Sequence, residues 1–150
     1  MKRIIYTGAF RFPDLDAASA RVMNNIKLLR KLAYEVIVIS WGGKEANLVR
    51  DDTHLDIGYI VSHDLDTKGK ITTHLVSSIF RGRNAIRYIK RICDGEKIDF
   101  IIMYNPSAYF VYKMRCLSKL KGVKLVSDIT EWYSPKDFLG WFISPAFWAN

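Results

Sequence analysis

The segment RIIYTGAFRFPDLDAASARVMNNIKLLRKLAYEVIVIS, residues 3–40, predicts the architecture of this chain. It begins with a short apolar run, Arg3 to Thr7, and ends with the nearly continuous β-branched run Glu35 to Ser40. Between these runs, Ala17 to Leu32 places apolar residues three and four positions apart, the period of a helix with one buried stripe. Strands without polar alternation are typical of a parallel sheet covered on both faces. The segment therefore predicts a strand, a helix and a second, parallel strand.

The rest of the chain continues this alternation after a polar segment from Trp41 to Asp56. The further predicted strands are Ile57 to Val61, Asp99 to Met103 and Val123 to Ser127, and the predicted helices are Thr72 to Phe80, Asn84 to Cys93 and Ala108 to Leu120. Such alternation predicts an α/β fold, a doubly wound and mostly parallel Rossmann-like sheet. We expect the strand order 3-2-1-4-5, which reverses between strands one and four and places a crevice at their carboxyl ends.

Size and composition limit the class of protein. A chain of 150 residues with 49% hydrophobic residues can form one domain with its own core. The cysteines Cys93 and Cys116 have neither CxxC nor Cys/His spacing, which favours a reducing, cytoplasmic location over a disulfide framework. No apolar run approaches the roughly 20 residues that span a bilayer. We therefore expect a cytoplasmic protein that does not cross a membrane.

The formal net charge of +8 is concentrated in one segment, because residues 67–93 contain seven basic residues and no acidic one. Four of these residues lie opposite the buried stripe of the predicted helix Asn84 to Cys93; they are Arg83, Arg87, Lys90 and Arg91. A basic amphipathic helix is typical of peripheral binding to an anionic membrane. The alternative is that the basic residues form only a solvent-exposed face that binds no partner. We expect these four residues to contact the inner face of a membrane.

The last predicted strand, Val123 to Ser127, runs directly into a polar and aromatic cluster formed by Asp128, Glu131, Trp132 and Tyr133. Ligands of open α/β sheets bind outside the carboxyl ends of the strands, so these residues are placed for a polar ligand such as a sugar. A structural alternative is that Asp128 caps the next helix and the aromatic rings pack beneath it.

Five more residues are predicted to lie at the same crevice; they are Gly8, Arg21, Tyr104, Asn105 and Ser107. Gly8 offers a backbone that a ligand can approach closely. Asn105 and Ser107 follow the fourth strand and can form hydrogen bonds with sugar hydroxyls, although Asn-Pro-Ser is also an ordinary turn.

Metal and dinucleotide chemistry receive little support from the motifs. The triplets Asp14-Leu15-Asp16 and Asp64-Leu65-Asp66 offer hard oxygen ligands, but each lies beside a helix start or a strand end, where carboxylates serve as caps and turns. The three histidines share no ligand spacing, and Gly8 begins no GxGxxG motif. We predict capping roles for the aspartates, no metal site and no dinucleotide cofactor.

Three segments, in their order and spacing, resemble the N-terminal, acceptor-side domain of a GT-B-fold glycosyltransferase of the family 4-like, retaining group. They are residues 7–40, DFIIMYNPSAYF at 99–110 and GVKLVSDITEWYSP at 122–135. The small residues Ala17 to Ala20 and Arg21 match the first helix of that family. The pair Ala33-Tyr34 stands where the family usually has Gly-His before the second strand.

The resemblance implies that a sugar moves from a nucleotide-diphosphate donor to a lipid-linked or polysaccharide acceptor, without a further cofactor. Residues 1–136 would form the acceptor-binding domain, and residues 137–150 would begin a truncated, aromatic-rich helix. That family binds its donor with a second domain, which carries two glutamates seven residues apart and is not found in these 150 residues. We therefore expect half of an enzyme, inactive alone, whose partner domain is encoded in an adjacent reading frame.

The resemblance also assigns roles within the predicted site. It implies that Asp128 and Glu131 orient the acceptor, that Trp132 and Tyr133 stack on a sugar, and that Arg21 lies near anionic groups. The alternative is a small Rossmann-type regulatory module whose basic helix contacts nucleic acid. That segment carries few stacking aromatics beyond Phe80 and Tyr88 and no recognised nucleic-acid motif, so we do not expect nucleic acid as the partner. A flavodoxin-like enzyme is a third alternative.

Overall fold

A computed structural model of the chain describes residues 2–13, 16–43, 48–50, 56–65 and 80–130. Within these ranges the chain forms six strands and three helices. The strands are β1 (Lys2–Arg11), β2 (Tyr34–Gly42), β3 (Leu48–Arg50), β4 (Asp56–Val61), β5 (Phe100–Tyr104) and β6 (Lys124–Asp128). The helices are α1 (Ala17–Lys31), α2 (Arg83–Gly95) and α3 (Ala108–Lys121).

All six strands belong to one sheet with the order β3-β4-β2-β1-β5-β6. The five strands β4, β2, β1, β5 and β6 are parallel, and β3 pairs antiparallel with β4 at the edge. The five parallel strands correspond to the five predicted strands, and in the numbering of the prediction their order is 3-2-1-4-5. The predicted fold class and strand order are therefore confirmed.

Two separate hydrophobic cores cover the two faces of the sheet. On one face, Ile5, Ile39 and Ile101 pack with residues of α2 and α3 such as Ile89 and Phe110. On the other face, Tyr6 and Val38 pack with Val22 and Ile26 of α1. Neighbouring residues such as Ile5 and Tyr6 belong to different cores because successive side chains of a strand point to opposite faces. This arrangement defines a doubly wound sheet.

Side-chain caps fix the helix ends near the carboxyl edge of the sheet. The carboxylate of Asp16 accepts a hydrogen bond from Ser19 N at 2.7 Å at the start of α1. The carboxylate of Asp64, from the loop after β4, accepts hydrogen bonds from Asn84 N at 3.0 Å and Ala85 N at 2.9 Å in the first turn of α2. The capping roles predicted for these two aspartates are confirmed, since carboxylates there satisfy free backbone N–H groups.

Two further findings complete the comparison with the predicted elements. Strand β3 falls in the segment from Trp41 to Asp56, for which no strand was predicted. The predicted helix from Thr72 to Phe80 lies outside the described residues except at Phe80, and so do Asp14, Asp66 and residues 137–150. In the part of the chain that the structure describes, no helix is long and apolar enough to cross a bilayer.

Candidate functional site

A cleft of about 960 Å³ lies at the carboxyl ends of the parallel strands. It reaches the point between β1 and β5 where the strand order reverses, and one wall is the outward face of α3. Its lining residues are Ala9, Ala18, Arg81, Tyr104, Asn105, Pro106, Ala108, Val111, Tyr112, Arg115, Cys116, Lys119, Ser127 and Ile129. Ligand pockets commonly have volumes of about 300–1,000 Å³, so this cleft can hold a ligand of sugar or nucleotide size.

Tyr104 and Asn105, at the end of β5, form hydrogen bonds with Thr130 in the segment that follows β6. The side chain of Asn105 donates to Thr130 Oγ1 at 2.8 Å and accepts from Thr130 N at 3.0 Å. The Thr130 hydroxyl in turn lies 3.2 Å from the Tyr104 hydroxyl. Asn105 has a positive φ of 40°, and its backbone N–H donates to the carbonyl oxygen of Asp128 with an N···O distance of 3.0 Å. These bonds fix the ends of β5 and β6 to each other, as a rigid cleft edge requires.

Asp128, one of the predicted site residues, is the acceptor of a four-residue network. Arg21 donates to Oδ1 at 2.8 Å, Asn25 donates to Oδ2 at 3.2 Å, and the Tyr6 hydroxyl donates to the same Oδ2. Asn25 also donates to the Tyr6 hydroxyl at 3.0 Å. The Asp128 side chain is only 12% exposed, whereas that of Arg21 is 51% exposed. The network therefore joins β1, α1 and β6 beside the cleft, on the α1 face of the sheet.

The contacts within the network shift the pKa values of Asp128, Tyr6 and Arg21. Burial raises the pKa of Asp128, but the hydrogen bonds from Arg21 and Tyr6 and the Arg21 charge outweigh burial, so its pKa lies below the ordinary value. Burial and the hydrogen bond to Asp128 raise the pKa of Tyr6. The hydrogen bond to Asp128 raises the pKa of Arg21. At neutral pH the network thus contains an ionised carboxylate, a neutral phenol and a guanidinium ion.

Gly8 and Ser107 hold structural positions next to the cleft. A Cβ atom added to Gly8 would lie 2.1 Å from the carbonyl oxygen of Tyr104, so only glycine permits the close approach of β1 and β5. Ser107 caps α3, since its hydroxyl accepts from Phe110 N at 3.3 Å and lies 3.2 Å from the carbonyl oxygen of Arg81. Neither residue is among those that line the cleft.

The three cations of the cleft were missed by the sequence analysis. Arg115 and Lys119 lie one helical turn apart on the exposed side of α3, opposite the buried Met114 and Leu117, and Arg81 precedes α2. The helical period of α3 was available in the sequence and places these basic residues on one face. It could not show that this face borders a cleft, because that depends on the position of β6.

The predicted membrane-binding residues form a separate surface. Arg83, Arg87, Lys90 and Arg91 are all exposed on α2, opposite its buried stripe of Ile86, Ile89 and Cys93. None of the four lines the cleft. The predicted amphipathic character of this helix is confirmed, while its partner stays a prediction.

Some of the predicted site falls outside the described residues, namely Glu131, Trp132 and Tyr133. Among the residues that the structure does describe, Asp128 with Arg21 and Tyr104 with Asn105 are brought to one crevice edge. No group of three or more metal-ligating side chains occurs within the described ranges.

Comparison with known protein families and with curated proteins finds no match to this chain. The fold and the cleft define it as a Rossmann-like α/β protein with a ligand-sized cleft at the switch point of its sheet. The chemistry of the site must therefore be inferred from its own residues.

Proposed function

We propose that this chain is the acceptor-binding half of a glycosyltransferase, which moves a sugar from a nucleotide-diphosphate donor to an acceptor held in the cleft. One observation carries the proposal, namely the position and polarity of the cleft. It lies at the switch point, where α/β sheets bind ligands, and Asn105, Ser127 and the Tyr104 hydroxyl provide neutral polar groups at its edge. Such groups suit the hydroxyls of a sugar, and the exposed ring of Tyr112 suits its apolar face.

The Asp128 network supports this role by holding the crevice edge in place. A carboxylate offers about four acceptor positions, and Arg21, Asn25 and Tyr6 occupy three of them. Asp128 is not among the residues that line the cleft, so in this proposal its role is to position the strands at the crevice edge.

The donor is bound elsewhere in this proposal, by a second domain of the kind that the resemblance implies. Stabilising a departing nucleoside diphosphate requires positioned donors and dipoles at the leaving group, and these would belong to that domain. We therefore expect the 150-residue chain to bind an acceptor without transferring sugar to it. We also propose a cytoplasmic location, peripheral to a membrane through the basic face of α2.

A pair of variants on β6 tests the proposal. Ser127 lines the cleft and is exposed, so Ser127→Trp should fill the cleft without disturbing the core. Val126 is also exposed and is the next residue on the same strand, so its side chain points to the opposite face and Val126→Trp is the matched control. Saturation-transfer NMR with a panel of neutral oligosaccharides should detect binding to the wild type and to Val126→Trp, and not to Ser127→Trp.

Two results would contradict the proposal. Equal sugar binding by Ser127→Trp and Val126→Trp would place the sugar outside the cleft. Release of nucleoside diphosphate from a sugar nucleotide by the 150-residue chain would show that the donor site lies within it.

A further inference from the structure

The cleft carries a charge that a neutral sugar does not require. Its fourteen lining residues include three cations, Arg81, Arg115 and Lys119, and no carboxylate. None of the three forms an ion pair with a residue that the structure describes. By contrast, Arg3, Arg21 and Lys121 all form ion pairs elsewhere on the chain. Three cations on the walls of one cleft produce a positive field directed at its contents.

The three cations come from two parts of the fold. Arg115 and Lys119 are neighbours on α3, with Cβ atoms about 5–6 Å apart as for any (i, i+4) pair. Arg81 belongs to the turn before α2, and its carbonyl oxygen lies 3.2 Å from the Ser107 hydroxyl that caps α3. The turn that carries Arg81 is thus tied to the start of the helix that carries the other two.

The backbone adds to the same field. The cleft is lined at Asn105, Pro106 and Ala108 by the start of α3, a helix of 14 residues. The amino-terminal end of a helix carries a partial positive charge of about half a unit. The nearest carboxylate of the crevice, that of Asp128, is already paired with Arg21 on the α1 face. This end of the helix adds to the positive field near Arg81, because Arg115 and Lys119 lie about 10 Å and 16 Å further along α3.

We propose that the acceptor bound in this cleft carries a phosphate or diphosphate group, held by the neighbouring Arg115 and Lys119, with Arg81 adding to the positive field of the cleft. This inference rests on the proposed function, because it names the class of acceptor for that same cleft. Arginine guanidinium groups match phosphate oxygens through two parallel hydrogen bonds, and lysine adds a compact charge. The apolar walls at Val111 and Ile129 leave room for a body less polar than the phosphate.

The cleft contains its own reporter for a binding experiment. Cys116 lines the cleft and is exposed, whereas Cys93 is buried in the core between α2 and the sheet. Burial raises the pKa of Cys93, which lowers the fraction of reactive thiolate. An alkylating reagent should therefore modify Cys116 first, and a bound ligand should protect it. Mass spectrometry of the alkylated protein measures both sites separately.

The experiment compares the alkylation rate of Cys116 without pyrophosphate and at each of a series of inorganic pyrophosphate concentrations, at constant ionic strength. Protection is expressed as the ratio of the two rates, because removing a cation beside Cys116 also changes the intrinsic reactivity of its thiol. We expect protection in the wild type, with pyrophosphate affinity about tenfold lower or worse in each of Arg115→Gln and Lys119→Gln. Lys121→Gln removes the same charge from the same helix outside the cleft, and it should retain the wild-type affinity.

Two further ligands, geranyl diphosphate and sulfate, show which kind of molecule carries the phosphate and whether the site is selective for it. Tighter binding of geranyl diphosphate than of pyrophosphate would assign the phosphate to a lipid-linked acceptor, and equal binding would assign it to a water-soluble one. Equal protection by sulfate, or affinity unchanged in Arg115→Gln and Lys119→Gln, would overturn the phosphate site. If neutral oligosaccharides protect Cys116 and pyrophosphate does not, this inference fails while the proposed function stands. If pyrophosphate protects Cys116 and no sugar binds the cleft, the phosphate site stands and the proposed function fails.

Discussion

The hydroxyl of Tyr6 on β1 donates a hydrogen bond to the carboxylate of Asp128 at the end of β6, 122 residues further along the chain. Strand β5 lies between these two strands, so the bond crosses its surface. Asn25 donates to both partners, and Arg21 donates to the second carboxylate oxygen. A single carboxylate thus fixes two parallel strands and a helix at the edge of the crevice. Its protonation state and its loss have measurable consequences.

Replacing Asp128 by Asn should lower the free energy of unfolding at pH 7 by about 1–3 kcal/mol, because the variant loses the charge that pairs with Arg21 and strengthens the hydrogen bond from Tyr6. Folding lowers the pKa of Asp128, since the hydrogen bonds outweigh the opposing effect of burial. Such a carboxylate stabilises the protein above its unfolded pKa of about 3.9, and this contribution disappears as the pH falls through the folded pKa. Urea denaturation of the wild type and Asp128→Asn should therefore give a difference that shrinks below about pH 4. A difference of the same size at pH 7 and pH 3 would contradict a role for the charge.

Replacing Tyr6 by Phe tests the same network at alkaline pH. Burial and the bond to Asp128 raise the pKa of Tyr6, so folding favours its neutral form. The resulting stabilisation is complete below the unfolded pKa of about 10 and decreases as the pH rises above that value. We expect Tyr6→Phe to be less stable than the wild type by about 1–3 kcal/mol at pH 8, and the difference to narrow above pH 10.

The control for this prediction is Tyr112→Phe, because Tyr112 is 62% exposed. Removing its hydroxyl should leave the stability at pH 8 nearly unchanged. A difference between the wild type and Tyr6→Phe that widens above pH 10 would show that the phenol is not held in its neutral form.

The sheet could be predicted because its central strands leave a strong signal in the sequence. Runs such as Val36 to Ile39 are apolar on both faces, as the two cores on either side of the sheet require. Strand β3, Leu48–Arg50, leaves almost no signal, since it has three residues in a polar segment and pairs only with β4 at the edge. Its pairing depends on the neighbouring strand rather than on its own composition.

The site was less predictable than the fold. The sequence placed Asp128 and Asn105 at the crevice because each follows the carboxyl end of a predicted strand. Arg21 was also placed there, but Tyr6 and Asn25 were not, because Tyr6 lies in an apolar strand and Asn25 in a helix, and both reach Asp128 only through the strand order. The polar residues Arg115 and Lys119 became part of the cleft for the same reason.

Replacing Gly8 by Ala should be among the most destabilising changes on the sheet. The new Cβ atom would lie 2.1 Å from the carbonyl oxygen of Tyr104, and backbone atoms cannot move aside as a flexible side chain can. We expect the free energy of unfolding to fall by about 3 kcal/mol or more. Gly95→Ala is the control, since a Cβ atom there meets nothing within 4 Å and helix position 95 should gain up to about 1 kcal/mol. Thermal denaturation that shows equal stability for the two variants would contradict the close approach of β1 and β5.

The basic face of α2 should bind anionic vesicles through Arg83, Arg87, Lys90 and Arg91. A basic residue near such a surface contributes about 1 kcal/mol, so reversing Arg83, Arg87 and Arg91 to Glu should weaken binding by about a hundredfold or more. Co-sedimentation with phosphatidylserine-containing vesicles measures this loss, and phosphatidylcholine vesicles should retain little of either protein. Added salt should weaken the wild-type interaction, because exposed charges are screened.

A charge-matched control separates this face from the net charge of the chain. Reversing Lys31, Lys97 and Lys124 to Glu changes the net charge by the same amount at exposed positions outside α2. That variant should retain most of its vesicle binding, because the four basic residues of α2 are intact. If both triple variants lose binding equally, only the overall charge matters and α2 has no special role. Stronger binding of the wild type to single-stranded RNA than to the vesicles, at matched ionic strength, would instead favour the regulatory module that contacts nucleic acid.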